Sequence, residues 1–351
     1  MFNVQCSMLI VVGCYAADQH DGLHLCSFDL ENASFKFLDT VDLASPSYLT
    51  IEPETGLLYV VNELKDEQAC LVAVQVEDGK RLKLLNSCKT GGASPCHVSK
   101  NNDLVATANY RGGSLSLFRI SPTGEIQSLV SVIKGTTGGP DMTRQSTPHI
   151  HCVLFSPDGR YLFATDFSAD QIVRLEIASN GAEVSRKEWP LAYPDGYGPR
   201  HLIFSPDGRF LYVIGELSDS VTVYEYHEGN LTEVQTIVAD EDHGRGGAAI
   251  QFSPDGAFLY TSHRRKNDKI VIFSVDKQSG KLTKTGSQIT KCHPRQFCLT
   301  PDGKHIFVAC MDDDVIQIFK RNPATGLLSS TYQSIMVKKP AFVGFLQNAK
   351  A

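Results

Sequence analysis

His151, Arg200, Glu216, Arg264 and Arg295 are residues of the kinds that hold anions and move protons, and each stands near the start or end of a copy of one repeated hairpin pattern. A guanidinium presents two parallel donors that match the oxygens of a carboxylate or a phosphate. Three arginines and several histidines facing one cavity would suit a small, anionic, oxygen-rich ligand. Glu216 or His151 beside them is a candidate general base. His149, His201, Asn109 and Tyr110 hold neighbouring positions in the same pattern and are expected to touch the ligand.

Such convergence needs a scaffold that brings distant residues to one place. The clearest copy of the pattern is "PRHLIFSPDGRFLYVIGEL" at 199–217: an apolar run, Ser-Pro-Asp-Gly at 205–208, then a second apolar run. Pro206 presets φ and Gly208 supplies a positive φ, so the segment reads as a β-hairpin. Further copies lie at 46–63, 94–110, 149–166, 246–264 and 293–310. Their turn prolines, Pro53, Pro157, Pro206, Pro254 and Pro301, follow a period of about 48 residues, with a degenerate turn near Asn102. That period, filled with short strands, is propeller-like. Third strands at 113–120, 170–177, 219–226, 268–275 and 314–320 alternate or run apolar, as strands packed between sheets do. Fourth strands such as 82–89 and 231–238 are more polar, as outer edges are. The C-terminal run 340–346 offers one more first strand, and 7–15, 23–30 and 35–43 supply its partners. The expected fold is all-β: one seven-bladed propeller domain over 1–351, four antiparallel strands per blade, its last blade closed by both chain ends.

In a propeller the first strand of each blade lines the central channel, so the residues at its start converge. That position reads Ser47 or Tyr48, Cys96-His97, His149 and His151, Arg200-His201, 246–248 and Arg295. Second-strand ends return to the same face with Asn62-Glu63, Asn109-Tyr110, Asp166, Glu216 and His263-Arg264. Long connections at 134–148 and 187–199 are expected on this face, where loops carry function. A single histidine at a strand start is commonly structural, and the arginines could serve as interblade ion pairs with Asp166 or Glu216. Joint occurrence at repeat-equivalent positions is what argues for a site. Asp158, Asp207, Asp255 and Asp302 belong to turns at the opposite end and read as turn chemistry alone.

Composition narrows the partners. A net charge of −6 offers no basic face for nucleic acid, and no apolar run approaches the roughly 18 residues of a spanning helix. The N-terminal "MFNVQCSMLIVVGCY" has no basic leader region and reads as a strand. Ten cysteines without a C-x-x-C pair, half of them inside apolar runs, argue against a disulfide scaffold or zinc site and for a reducing cytoplasm.

The phrases "PHIHCVLFSPDGRYLFATD", "GPRHLIFSPDGRFLYVIGEL", "HPRQFCLTPDGKHIFVAC" and "TANYRGGSLSLFRI" resemble the lactonase family of seven-bladed propellers. That family includes propeller-type 6-phosphogluconolactonases and fungal carboxy-cis,cis-muconate cyclases. The likeness runs from "VVGCY" to "AFVGFL" and rests on the P-H-x-H, G-P-R-H and N-Y-x-G-G elements, since SPDG is common to many propellers. One departure is "DFSAD" at 166–170 in place of the commoner Asp-Leu-Gly pattern; both aspartates are kept. The resemblance implies hydrolysis of a phosphorylated sugar δ-lactone, as in the oxidative pentose phosphate pathway, with no metal and no cofactor. The family's functional residues fall on His151, Arg200, Glu216 and Arg264. In that scheme Glu216 or His151 is the base, Arg200 and Arg264 face the developing charge, and Arg295 with His201 grips the phosphate. The alternatives are lactonisation of a muconate-like polycarboxylate, a non-catalytic propeller that binds a protein, and a metal-dependent sugar lactonase using Asn62, Glu63 and Asn109. The expected partner is a small anionic sugar lactone or polycarboxylate, and the chain a monomer or weak homo-oligomer.

Overall fold

The computed structural model describes residues 7–15, 22–29, 34–178 and 184–346, and these form seven four-stranded antiparallel sheets. Six blades follow in chain order over 49–89, 95–134, 150–192, 199–238, 247–289 and 294–336. The seventh places Pro340–Leu346 beside Ser7–Cys14, then Leu23–Asp29 and Ser34–Val41. First strands of neighbouring blades touch around the whole circuit, including Pro340–Leu346 against Leu49–Glu52, so the ring is closed. The N-terminal strand is described from Ser7; residues 1–6 lie outside the described residues. Among the described residues, no helix is long and apolar enough to cross a membrane.

Burial explains the strand patterns. Second strands such as Leu57–Asn62, Leu104–Asn109 and Phe210–Gly215 are buried along their whole length, because both faces pack on adjacent blades. Outer strands such as Leu282–Ile289 instead alternate half-buried and exposed residues after a buried Leu282. The apolar residues gather in clusters that each bridge two neighbouring blades. Leu57, Tyr59 and Val61 meet Val98, Val105 and Phe118 in one of them; Tyr212 and Ile214 meet Ile250, Leu259 and Val271 in another.

The Ser-Pro-Asp-Gly turns form as expected, with Gly208 at φ +72°. Ser205 Oγ donates to Asp207 at 2.6 Å and accepts the Phe210 amide at 3.0 Å. Asp158, Asp255 and Asp302 accept the same bond from Ser156, Ser253 and Thr300. One boundary differs from expectation. Residues 187–192 are not loop: they continue the strand Val184–Ala192, where Leu191 and Ala192 pair with Ile172 and Gln171. Only the stretch from Tyr193 onward connects it to the next blade.

Candidate functional site

In four blades the first strand is broken by an irregularity near its start. In the strand pairing, Pro199 lies opposite Gly215 and His201 opposite Ile214, leaving Arg200 as the extra residue. His151 is the extra residue in its blade, Cys96 in the one before, and Arg295 in the sixth. A bulge re-aims the side chain it carries. Here it gives four blades an unpaired residue at the same height, at the end of the channel away from the proline turns.

Glu216, 4% exposed, closes the second strand of the Arg200 blade and is the hub of this end. Arg200 Nε donates to its Oε2 at 3.0 Å, and Arg264 Nη2 lies 3.4 Å from the same oxygen. Arg144 Nη2 donates to Oε1 at 2.7 Å, with Arg265 Nη2 3.5 Å away. Burial alone would raise the Glu216 pKa, but Arg264, Arg200 and Arg144 outweigh it and hold the carboxyl well below the usual range. With both oxygens occupied, Glu216 is a fixed anion around which guanidiniums are ordered, a poor acceptor for a further proton. Arg200 is anchored again through Nη1, which donates to the Ala248 carbonyl at 2.5 Å, and Arg264 through Nε on the Gly246 carbonyl at 3.0 Å.

His151 lies beneath this hub, 6% exposed, its Nδ1 3.8 Å from Cys96 Sγ. Burial and then Arg200 lower its pKa far below 6.5, so the ring is neutral at physiological pH. Tyr110 stacks on His149 with ring centres 4.1 Å apart, and His149 Nδ1 bonds the Tyr110 carbonyl oxygen at 2.8 Å. The Tyr110 hydroxyl interacts with Arg144, so this pair borders the cluster.

A second carboxylate stands on the Arg295 side. Tyr15 Oη donates to Glu63 Oε2 at 2.6 Å, and Ser47 Oγ donates to the same oxygen. Arg295 Nη2 donates to Tyr15 Oη, lies 3.7 Å from Glu63 Oε2, and covers the Tyr15 ring at 4.7 Å. Five arginines, 144, 200, 264, 265 and 295, thus face two glutamates, 216 and 63.

Two expected ligand contacts are corrected. Asn109 is fully buried inside its blade; its amide donates to Ser114 and Ser116, and its carbonyl accepts from Thr107. His201 is on the far side of the hub, in a plug with Tyr48, His97 and His151 whose ring centres lie 5.2–5.8 Å from its own. Burial, then Arg200, hold its pKa well below 6.5, and its Nε2 lies 3.1 Å from Arg200 Nη1, so it brings no charge to a phosphate. Beyond the plug, a cavity of about 590 Å³ opens at the turn end, lined by His97, Lys100, Gln251 and Phe342 among others. Arg144, Arg265 and Tyr15 were missed by the sequence reading. Arg144 had one signal, its place in the long connection 134–148, which is tied down by Thr136 on Asp166 and Gln145 on the Phe167 carbonyl.

Among the described residues one group could hold a metal: buried Asp219, Asp240 and His263, whose donor atoms lie within 4.8 Å of one another. Their atoms already serve the fold. Asp219 accepts the amides of Arg245 and Gly246, and Asp240 pairs with Lys269 at 2.6 Å.

Comparison with known proteins bears on the fold and the family. Residues 9–345 match the family described as "Lactonase, 7-bladed beta-propeller". A 6-phosphogluconolactonase of Formosa agariphila is 34% identical over 328 residues, covering 90% of this chain and 93% of the relative. A crystal structure from Bacteroides uniformis has a TM-score of 0.94 and 42% identity, covering 97% of this chain and 100% of that one. The periplasmic gluconolactonase of Pseudomonas aeruginosa has a TM-score of 0.90 and 30% identity, covering 97% of this chain and 99% of that one.

Proposed function

The chain belongs to the lactonase family of seven-bladed β-propellers, and from that premise we propose that it hydrolyses a phosphorylated sugar δ-lactone in a cationic pocket around Glu216. Lactone hydrolysis as such is the activity named for relatives that align over most of the chain. The names of those relatives, 6-phosphogluconolactonases, include the phosphate, and for this chain the excess of arginine over glutamate around Glu216 is the observation that supports it. Arg200 and Arg264, fixed in place before substrate arrives, would stabilise the oxyanion formed when water attacks the carbonyl. Arg144 and Arg265, whose side chains are 25% and 49% exposed, would meet the phosphate at the mouth. The proposed compartment is the cytoplasm, in keeping with described cysteines that are all free thiols.

The test compares kcat/KM for 6-phosphoglucono-δ-lactone, glucono-δ-lactone and carboxy-cis,cis-muconate, each corrected for the uncatalysed rate. The phosphorylated lactone is expected to lead by at least about tenfold, one lost charge-assisted contact. Equal rates on the two lactones would remove the phosphate from the reading. Lactonisation of the muconate in preference to either would replace it.

A further inference from the structure

The two carboxylates at this end of the channel differ in what they have left to offer. Glu216 gives each oxygen to two guanidiniums. Glu63 gathers all its partners on Oε2, where Tyr15 and Ser47 donate and Arg295 stands at 3.7 Å. Its Oε1 takes no hydrogen bond among the described residues, and the side chain is 16% exposed. Three separate segments build this arrangement. Tyr15 follows Ser7–Cys14, its amide tied to the Lys339 carbonyl. Ser47 and Glu63 flank the hairpin of the first blade, and Arg295 is the bulge residue of the sixth. Such precise holding is not needed to pack the blade, whose core is apolar.

We infer that Glu63, positioned by Tyr15 and Ser47, is the general base that activates water for attack on the lactone carbonyl. This rests on the lactonase reading above. It resolves the choice between Glu216 and His151 in favour of neither. A proton on Glu216 would remove the anion that four guanidiniums share, and a proton on His151 would put a cation beside Arg200. A proton on Glu63 leaves one guanidinium, Arg295, with Tyr15 still in contact. The titratable and charged groups facing Glu63 are Tyr15, Arg295 and the Cys96 thiol.

In the step, the water oxygen bonds to the carbonyl carbon as one of its protons passes to Glu63 Oε1. The carbonyl π pair becomes an oxyanion facing Arg200 and Arg264. Collapse re-forms the C=O bond and breaks the ring C–O bond, and the departing alkoxide takes the proton back from Glu63. The carboxylic acid so formed ionises in water, and the enzyme returns to its starting state.

The experiment measures kcat and KM on 6-phosphoglucono-δ-lactone from pH 5 to 7 for wild type, Glu63→Gln, Glu63→Ala with and without formate, and Tyr15→Phe, alongside thermal unfolding. Glu63→Gln is expected to lose at least about 100-fold in kcat, with little change in KM and no acid limb in its profile. Formate is expected to restore part of the Glu63→Ala rate. Tyr15→Phe removes a donor to the charged carboxylate, so its acid limb is expected at higher pH; it also serves if Glu63→Gln fails to fold. Wild-type kcat in Glu63→Gln, an unmoved limb in Tyr15→Phe, or a Glu63→Ala rate indifferent to formate each overturns the base. A wild type no faster than spontaneous hydrolysis overturns the lactonase reading itself and the base with it. Activity lost with unchanged profile shape reduces Glu63 to a structural part and also overturns the inference.

Discussion

At one end of the channel the first strands begin with bulged His151, Arg200 and Arg295, among five arginines and two glutamates. At the other end the same strands run out into proline turns around a cavity whose plug is neutral histidine and tyrosine. The Ser/Thr–Asp pairs of the turns find each other within two residues, as Ser205 and Asp207 do, and among the described residues only the outer oxygens of Asp158 and Asp255 reach on to Tyr226 and Arg321 of the next blade. Polar groups of the bulged end find their partners in other blades: Tyr15 reaches Glu63 across 48 residues, and Arg144 reaches Glu216 across 72. Local satisfaction can be copied from blade to blade, whereas cross-blade satisfaction is particular to each pair. The first is scaffold, and the second is where residues are free to specialise.

Replacing Arg200 by Ala is the harshest trial of this contrast. It leaves Glu216 buried without its closest guanidinium on Oε2, so it is expected to cost on the order of 3–5 kcal/mol in denaturant unfolding and at least about 100-fold in kcat. An equally mild result for Arg200→Ala and Asp207→Ala would erase the distinction. Acid should act on the histidines of the plug and on the Glu216 hub in different ranges. His97, His151 and His201 have folded pKa values below their ordinary 6.5, His97 at about 3, so the unfolded chain binds more protons. Stability is therefore expected to fall as pH drops below about 6.5. Glu216, also depressed, keeps its contribution above its unfolded value of 4.5 and loses it as pH falls further. Unfolding midpoints measured from pH 7 to 3 should show the upper fall weakened in His97→Phe and the lower fall weakened in Glu216→Gln.

Arg144→Ala sharpens the contrast from the mouth side. Arg144 is held by a connection and not by a strand, so kcat/KM on the phosphorylated lactone is expected to fall about 10- to 100-fold. The melting temperature should move only slightly, since the side chain is a quarter exposed. Asn109→Ala is its converse. Emptying a buried amide that holds three hydroxyls should cost about 1–3 kcal/mol with kcat/KM unchanged, as judged by unfolding and steady-state rates. A raised KM would return Asn109 to the site. Smallest of all, Asp207→Ala should cost about 1 kcal/mol with no kinetic effect.

Much of this was written locally in the chain. Proline and glycine at a fixed period set the hairpins, burial on both faces demanded apolar second strands, and the absence of a complete seventh repeat required the two chain ends to share a blade. That His151, Arg200, Glu216 and Arg264 gather at one end of the channel was legible too, because the repeat places each of them there. What sequence could not show was direction and partner. Arg200 and His201 are adjacent and their side chains meet at 3.1 Å, yet Arg200, the bulge residue between Pro199 and His201, joins Glu216 while the His201 ring packs in a neutral plug. Asn109 lies opposite Pro95 as Gly215 lies opposite Pro199, one place before the position that Tyr110 shares with Glu216, and it turns into its own blade, where Ser114 and Ser116 are within reach. Tyr15, Ser47, Glu63 and Arg295 meet only because the ring closes, and closure is a property of all seven blades together.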